Sequence, residues 1–235
     1  MMVATEAIKS GHLVHRELPT AYVPSYDVRS ADANSKLYSP MERSMLSAAY
    51  QATGDQFKGY VVILASRLLT AANNDELIRK NVEALCRSTP HSGLCDSSDI
   101  VASANILKRL LLGTSVQEYS LGTCIEILEK LQSNAFSVVD FDLTTIAGIG
   151  LYAQAAAINH SCDPNCFQSF HVLSSSTLSI RSCRDIKKGE EITIAYIDVG
   201  APTWWRQKEL LSSYGFYCSC KIGRASCRER VSSPV

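Results

Sequence analysis

The chain has 235 residues, 46% of them hydrophobic, which is enough to bury one substantial core and predicts one or two domains. Its 23 basic and 23 acidic side chains give no net charge and form no long run of either sign, so we expect neither direct nucleic-acid binding nor a polybasic membrane patch. The most apolar segment, Leu143 to Ile158, is shorter than the roughly 20 residues that a bilayer requires. With no signal-peptide pattern at the start, a cytoplasmic or nuclear location is expected.

Nine cysteines are scattered along the chain, an odd number without the dense spacing of disulfide-rich secreted domains. We therefore expect reduced thiols, some of which could bind zinc. The cysteines are Cys86, Cys95, Cys124, Cys162, Cys166, Cys183, Cys218, Cys220 and Cys227.

Short strands joined by turns are predicted from Ala4 to Val23, where apolar pieces alternate with turn residues. Ile8-Lys9-Ser10-Gly11 has a counterpart in Ile186-Lys187-Lys188-Gly189, so Ile-Lys-x-Gly introduces an extended run twice. Ser39-Pro40-Met41-Glu42 then supplies an N-cap serine, a proline at the first helical position and a glutamate that completes a capping box. Apolar residues at helical spacing predict an inserted helical subdomain over roughly Ser39 to Leu131.

A dense polar cluster, Asn159-His160-Ser161-Cys162-Asp163-Pro164-Asn165, follows the small apolar run Ala155 to Ile158. Polar groups beside a buried run need partners, and an Asn-His pair alone is more often a satisfied structural pair than a ligand site. The complete heptad resembles that of the SET and MYND-domain lysine methyltransferases. The resemblance implies an α+β fold: a SET-domain β-fold of short strands with a pseudoknot, a large helical insert and a partial post-SET segment.

The resemblance also implies roles for single residues. Asn159 and the backbone of His160 would hold the adenine of S-adenosylmethionine, and Cys162 would be a zinc ligand. Asn134-Ala135-Phe136-Ser137 is similar to the family's Asn-Ser-Phe-Thr strand, although Ala135 replaces the usual serine. That similarity places Asn134 near the cofactor and Phe136 near the lysine channel.

Two further motifs have both a structural and a functional interpretation. Gly189-Glu190-Glu191 followed by Ile192 to Tyr196 predicts a turn and a strand with a packing tyrosine, whereas the resemblance implies that Tyr196 is catalytic. Tyr214-Gly215-Phe216-Tyr217-Cys218-Ser219-Cys220 resembles the start of the post-SET segment, which implies that Tyr214 and Phe216 line the channel. The same residues also fit the end of a helix, Trp204 to Ser213, stopped by Gly215, and both interpretations are compatible.

The expected zinc site is incomplete in this sequence. The family supplies four ligands as the heptad cysteine plus Cys-x-Cys-x-x-Cys, and here Cys162, Cys218 and Cys220 are present but Gly223 occupies the last position. Cys227 is too late for that spacing and lies in Ile222 to Val231, which resembles the translated read-through of a sequencing adapter.

The N-terminus begins where the family's Gly-x-Gly turn should have finished, and residues 25–43 contain no cysteine or histidine for a MYND finger. We therefore expect a chain truncated at both ends. The expected parts are a remnant of the N-terminal SET segment (1–25), a helical insert (26–132), the C-terminal SET core (133–200), a partial post-SET segment (201–221) and an adapter-derived stretch (222–235).

The leading hypothesis is a protein-lysine N-methyltransferase that uses S-adenosylmethionine on a lysine of a histone or another protein. Methyl transfer to a neutral amine mainly needs alignment and a dry aromatic channel. The alternative is a catalytically inactive SET-like interaction module whose helical insert presents the binding face. A purely structural zinc module is the weakest hypothesis, because three thiolates without a fourth ligand form a poor closed site.

Overall fold

The structure, a computed structural model, describes residues 1–25, 37–87, 97–140, 146–172 and 176–224. Short strands lie towards both ends of the chain and helices in the middle, which confirms the predicted α+β class. The strands are β1 (Leu13–Glu17), β2 (Ala21–Pro24), β3 (Ala135–Val139), β4 (Ile146–Leu151), β5 (Asn159–His160), β6 (Cys166–His171), β7 (Thr177–Ser182) and β8 (Thr193–Ile194). The helices are α1 (Pro40–Thr53), α2 (Gln56–Asn74), α3 (Glu76–Glu83), α4 (Ser97–Leu111), α5 (Leu121–Asn134), α6 (Thr203–Tyr214) and α7 (Lys221–Arg224), with a 3-10 turn at Ala155–Ala157.

The capping box predicted at the start of the helical block is confirmed. The Ser39 hydroxyl accepts a hydrogen bond from the Glu42 N–H at 3.1 Å, and the Glu42 carboxylate accepts one from the Ser39 N–H at 2.7 Å. The second Glu42 oxygen accepts from Nε of Arg67 at 2.8 Å, and Arg67 also donates to the Tyr22 carbonyl at 2.8 Å. Because Arg67 lies on α2 and Tyr22 on β2, these bonds fix the inserted helices to the strands.

The helical insert shares its interior with one of the sheets. Ile63 of α2, Leu107 of α4 and Leu131 of α5 belong to the same buried cluster as Ile149 and Leu151 of β4. Burying each such side chain contributes about 1.5 to 3 kcal/mol. The insert is therefore packed onto the strands as one body, and no helix within the described ranges is long and apolar enough to cross a membrane.

The strands form two antiparallel sheets, with orders β1-β7-β6 and β2-β4-β3. In the second sheet Tyr22 crosses the backbone of β4, where its hydroxyl donates to the Ala147 carbonyl at 2.8 Å. A Cβ at Gly148 would lie 2.5 Å from the Val23 carbonyl oxygen and 2.6 Å from the Tyr22 ring. Only glycine fits at this crossing, which keeps β2 and β3 close on either side of β4.

The two copies of Ile-Lys-x-Gly pair with each other. Ile8 and Ile186 form an antiparallel bridge with N–H···O distances of 2.9 and 2.8 Å. Gly11 and Gly189 both have a φ of 81°, which glycine adopts without steric cost. The repeat thus attaches the N-terminal stretch to the segment that leads into β8.

A short parallel pair joins β5 to β8, with Asn159 opposite Thr193 and His160 opposite Ile194. Because β6 and β7 lie between these strands in sequence, the pair links distant segments. Asn165, at the end of the heptad and only 1% exposed, reinforces it. Its amide nitrogen donates to the Glu191 carbonyl at 2.7 Å, and its amide oxygen accepts from the Thr193 N–H at 2.9 Å.

Asn165→Ala should lower the free energy of unfolding by about 2 to 4 kcal/mol, because it leaves a buried N–H and a buried carbonyl without partners. Chemical denaturation measures the change. The matched control is Asp163→Ala in the same heptad, at an exposed position, which should change stability by less than about 0.5 kcal/mol. Equal stabilities of the two variants would show that Asn165 does not secure the β5-β8 pair.

Candidate active site

The heptad is positioned by the 3-10 turn that precedes it. The Glu17 carboxylate at the end of β1 accepts hydrogen bonds from the N–H groups of Gln154 and Ala155, at 3.0 and 2.9 Å. Ala155 and Ile158 are fully buried below this turn. An acidic side chain at the start of the turn therefore fixes the direction in which Asn159 and His160 leave the core.

The side chain of His160 is hydrogen-bonded to the backbone of Tyr196. The Tyr196 N–H donates to Nδ1 of His160 at 3.0 Å, and the two ring centroids are 5.4 Å apart. The Tyr196 hydroxyl donates to the Ile158 carbonyl at 2.5 Å. Both ends of Tyr196 are thus bonded to the residues just before and within the heptad, which gives its phenol a defined position.

Three aromatic side chains, those of Phe136, Tyr196 and Tyr214, line a cavity of about 130 Å³ together with small and polar residues. The Tyr214 ring lies 4.8 Å from the Tyr196 ring, and Phe136 packs edge-on against Tyr152 at 5.6 Å. Burial, followed by the neighbouring Tyr214, raises the pKa of Tyr196 to about 12, and burial also raises the pKa of Tyr214. The phenols that face the cavity are therefore uncharged at neutral pH. The lining includes Asn134, Phe136, Ser137, Ala156, Gln168, Tyr196 and Tyr214.

Phe216, expected in the channel wall, does not line this cavity. The centroid of its ring lies 6.2 Å from that of His160 and 6.5 Å from that of Tyr214, so it packs next to both rings and outside the cavity lining. The reason is the end of α6, where Gly215 adopts the left-handed conformation at a φ of 77° and turns the chain away after Tyr214. The predicted helix end at Gly215 is confirmed.

The two asparagines expected at the cofactor lie in different surroundings. Asn134 is the last residue of α5 rather than part of β3. Its side-chain amide donates to the Lys130 carbonyl at 2.7 Å and to the Cys86 carbonyl at 2.8 Å. It is buried but lines the aromatic cavity. Asn159 is exposed, and its amide nitrogen donates to the Glu191 carboxylate at 2.6 Å.

Three thiols expected to bind zinc lie close together. The sulfurs of Cys218 and Cys220 are 3.2 Å apart, and Cys162 packs with Cys218 against Leu210. The ligand atoms of His160, Cys162 and Cys218 all lie within 4.8 Å of one another. Burial, together with Cys218, raises the pKa of the Cys162 thiol to about 12, so this thiol is protonated unless a cation is bound. We call Cys162, Cys218 and Cys220 the thiol cluster.

His160 is a hydrogen-bond donor to the thiol cluster rather than a fourth ligand. Its Nδ1 accepts the Tyr196 N–H, so in the neutral imidazole the proton must be on Nε2. Nε2 lies 3.3 Å from the Cys162 sulfur. Burial lowers the pKa of His160 to about 4, which keeps the ring neutral at physiological pH. The thiol cluster therefore fits zinc by its sulfur donors but offers three ligands among the described residues.

The structure thus brings most of the predicted residues to one place. Tyr196, Tyr214, Phe136 and Asn134 share the cavity, and His160 lies between Tyr196 and the thiol cluster. Sequence reasoning missed Asn165 and Arg206, both buried polar residues. A signal existed only for Asn165, as the last member of the heptad, whereas Arg206 lies in an amphipathic helix and looks like a surface residue. Cys95, Cys227 and residues 225–235 lie outside the described part of the chain.

Comparisons with known proteins agree with this geometry. The family described as "SET domain" matches residues 1–197. Human histone-lysine N-methyltransferase SMYD3 is 38% identical over 98 residues, which are 40% of this chain and 21% of that protein. A SET and MYND domain-containing protein of Dictyostelium discoideum is 41% identical over 130 residues, 52% of this chain and 37% of that protein.

A crystal structure of the SET domain of LSMT bound to lysine and AdoHcy aligns with 91% of this chain and 49% of its own, with a TM-score of 0.44 and 17% identity. A likeness at that level says nothing about residue roles. The chain spans only about a fifth to two fifths of the length of the curated relatives named above. The family match, in contrast, extends from the N-terminus through β8 to Ile197. The chain therefore belongs to the SET domain family.

Proposed function

We propose that this chain is the SET portion of a protein-lysine N-methyltransferase that uses S-adenosylmethionine. The observation that carries the proposal is the small cavity at Tyr196, which has no charged side chain among the described residues of its lining and whose tyrosine is hydrogen-bonded to the His160 ring and to the Ile158 carbonyl. Relatives with the matched region bear the names of lysine methyltransferases. S-adenosylmethionine supplies an activated methyl group on a sulfonium, and the residues of the chain must align an amine with it.

The cavity suits a neutral amine at the end of a slender side chain. Tyr196 and Tyr214 stay protonated because burial raises both pKa values, so no phenolate holds the amine as an ammonium ion. The Tyr196 hydroxyl and the Ile158 carbonyl instead present uncharged oxygens at a fixed place. The aromatic rings would attract a methylated ammonium by about 0.5 to 2 kcal/mol per contact. In this role Tyr196 is the catalytic residue, and Phe136 and Tyr214 line the channel with Phe216 behind them.

The cofactor would lie on the heptad side of the cavity. Asn159 is exposed at the edge of β5, and its amide oxygen makes no hydrogen bond within the described ranges, so it is open to a ligand. The His160 carbonyl and N–H belong to the same strand edge. Asn134, buried at the opposite wall, would contribute through its carbonyl groups and by fixing the end of α5. Asn134, Asn159 and His160 are therefore the proposed cofactor-binding residues.

The substrate would be a protein segment that reaches the cavity from the helical insert. A second cavity of about 380 Å³ lies between α2, α4, α5 and α6 and shares Ala135, Ser137 and Tyr214 with the first. We keep the division into an insert (26–132), a SET core (133–200) and a partial post-SET segment (201–221) as part of the proposal. A histone or another protein of the cytoplasm or nucleus is the proposed partner.

Tyr196→Phe should reduce methyl transfer from labelled S-adenosylmethionine to core histones by about 100-fold or more, because it removes the only polar group of that ring. The fold should persist, since the ring contacts with His160 and Tyr214 remain. The control is Tyr217→Phe, which removes a hydroxyl from a residue that is 66% exposed and should leave transfer unchanged.

Full activity of Tyr196→Phe would disprove the role of that residue. A folded wild-type chain that transfers no methyl group to histones or to a cytosolic protein extract, and binds no S-adenosylmethionine, would favour the catalytically inactive interaction module.

We also propose that the thiol cluster binds zinc through Cys162, Cys218 and Cys220. Three thiolates fit zinc in chemistry, while the position that would supply a fourth by the spacing Cys-x-Cys-x-x-Cys is Gly223. Zinc would lock α6 and the segment after it onto the heptad, and so hold Tyr214 and Phe216 against Tyr196.

Gly223→Cys should therefore tighten zinc binding. Structural zinc sites with four ligands have binding free energies of roughly 10 to 16 kcal/mol. If each ligand contributes about a quarter of this, the added cysteine lowers the zinc dissociation constant by about 100-fold. Competition with a chromophoric chelator measures the constant. Ser212→Cys, which adds a cysteine on α6 at the second cavity, serves as the control and should have no effect. An unchanged constant in Gly223→Cys would contradict the proposed ligand geometry.

A further inference from the structure

A buried guanidinium lies on α6 without a charged partner among the described residues. Arg206 is only 4% exposed, and its Nε and Nη1 make no hydrogen bond with the described residues. Nη2 donates to the Thr203 hydroxyl at 2.9 Å and to the Ile222 carbonyl at 3.3 Å. No carboxylate among the described residues forms an ion pair with it. Burying a charge in this way costs several kcal/mol unless another charge compensates it.

Arg206 lies beside the thiol cluster. Leu210, one turn further along the same face of α6, packs against Cys162 and Cys218. The neighbouring Gln207 brackets the backbone of Cys218, donating to its carbonyl at 2.9 Å and accepting its N–H at 3.0 Å. Residues adjacent to Arg206 on α6 thus contact the thiol cluster, and the Arg206 guanidinium donates to the Ile222 carbonyl two residues after Cys220.

The charge balance of a loaded site explains the arrangement. When zinc binds, three thiols release their protons to solvent, and three thiolates with one divalent ion leave a single negative charge. One guanidinium cancels that charge. We propose that Arg206 is the buried counter-charge of the thiol cluster, so that metal binding at Cys162, Cys218 and Cys220 is what makes the burial of Arg206 favourable. This inference rests on the proposed zinc site but not on methyltransferase activity.

The two roles that Arg206 could have would change the stability of the metal-free chain in opposite directions. A residue that only fills space between α6 and α7 would stabilise the metal-free and the zinc-loaded chain alike. A counter-charge destabilises the metal-free chain, where the thiols are neutral, and stabilises the loaded chain, where the sulfurs are anionic. Replacing the charge by an apolar side chain of similar length therefore separates the two roles.

The experiment compares Arg206→Met and Arg206→Lys with the wild-type chain. Zinc affinity is measured by chelator competition, and the thiolate-to-metal absorption band is recorded with Co²⁺ as the probe. Arg206→Met should raise the zinc dissociation constant by about 10- to 100-fold, because one compensating charge near the site is lost. Arg206→Lys keeps the charge and should restore most of the affinity. Lys208→Met removes a charge from an exposed position on the same helix and should change nothing.

Denaturation without metal gives the second readout. Arg206→Met should be at least as stable as the wild-type chain when zinc is removed, and should gain less stability when zinc is added. A zinc affinity of Arg206→Met equal to that of the wild type would overturn the inference while leaving the zinc site intact. An equal loss of stability with and without zinc would also overturn it, because that result indicates packing. A wild-type chain that binds no zinc would overturn both the metal site and the role of Arg206.

Discussion

The contact between the heptad Asn159–Asn165 and the segment Glu191–Tyr196 determines where the other parts of the site lie. Two parallel residue pairs alone would be a weak link between strands. The buried amide of Asn165 and the ring nitrogen of His160 add directed hydrogen bonds at both ends of it. Tyr196, the thiol cluster and the end of α6 all take their positions from this one contact.

Two electrostatic environments meet at His160. On one side, burial keeps the phenols of Tyr196 and Tyr214 neutral, as an amine that must be uncharged to react requires. On the other side lie the thiol cluster and the Arg206 guanidinium, whose charges would balance in the proposed zinc-bound state. The His160 ring contacts Tyr196 through Nδ1 and Cys162 through Nε2, so it lies between the two environments.

Much of the fold could be predicted from local patterns. The capping box at Ser39, the helix stop at Gly215 and the short strands between Leu13 and Pro24 each depend on neighbouring residues, and the structure confirms them. The pairing of the two Ile-Lys-x-Gly copies joins residues far apart in sequence, and so do the hydrogen bonds of the Asn165 side chain to Glu191 and Thr193. No local pattern predicts either contact. Phe216 lies next to the rings of His160 and Tyr214 and outside the lining of the cavity at Tyr196, so its place in the channel wall stays a prediction. Arg206 could not be found at all, since its burial results from the packing of α6 on the thiol cluster.

The tautomer of His160 is the most direct test of the link between the aromatic cavity and the thiol cluster. Nitrogen NMR of the chain with ¹⁵N-labelled histidine distinguishes the two ring nitrogens at neutral pH. A proton on Nε2 with Nδ1 unprotonated, in a ring that stays neutral, is the expected result. A proton on Nδ1 would contradict it, because the Tyr196 N–H would then have no acceptor and the heptad would not hold Tyr196 in place.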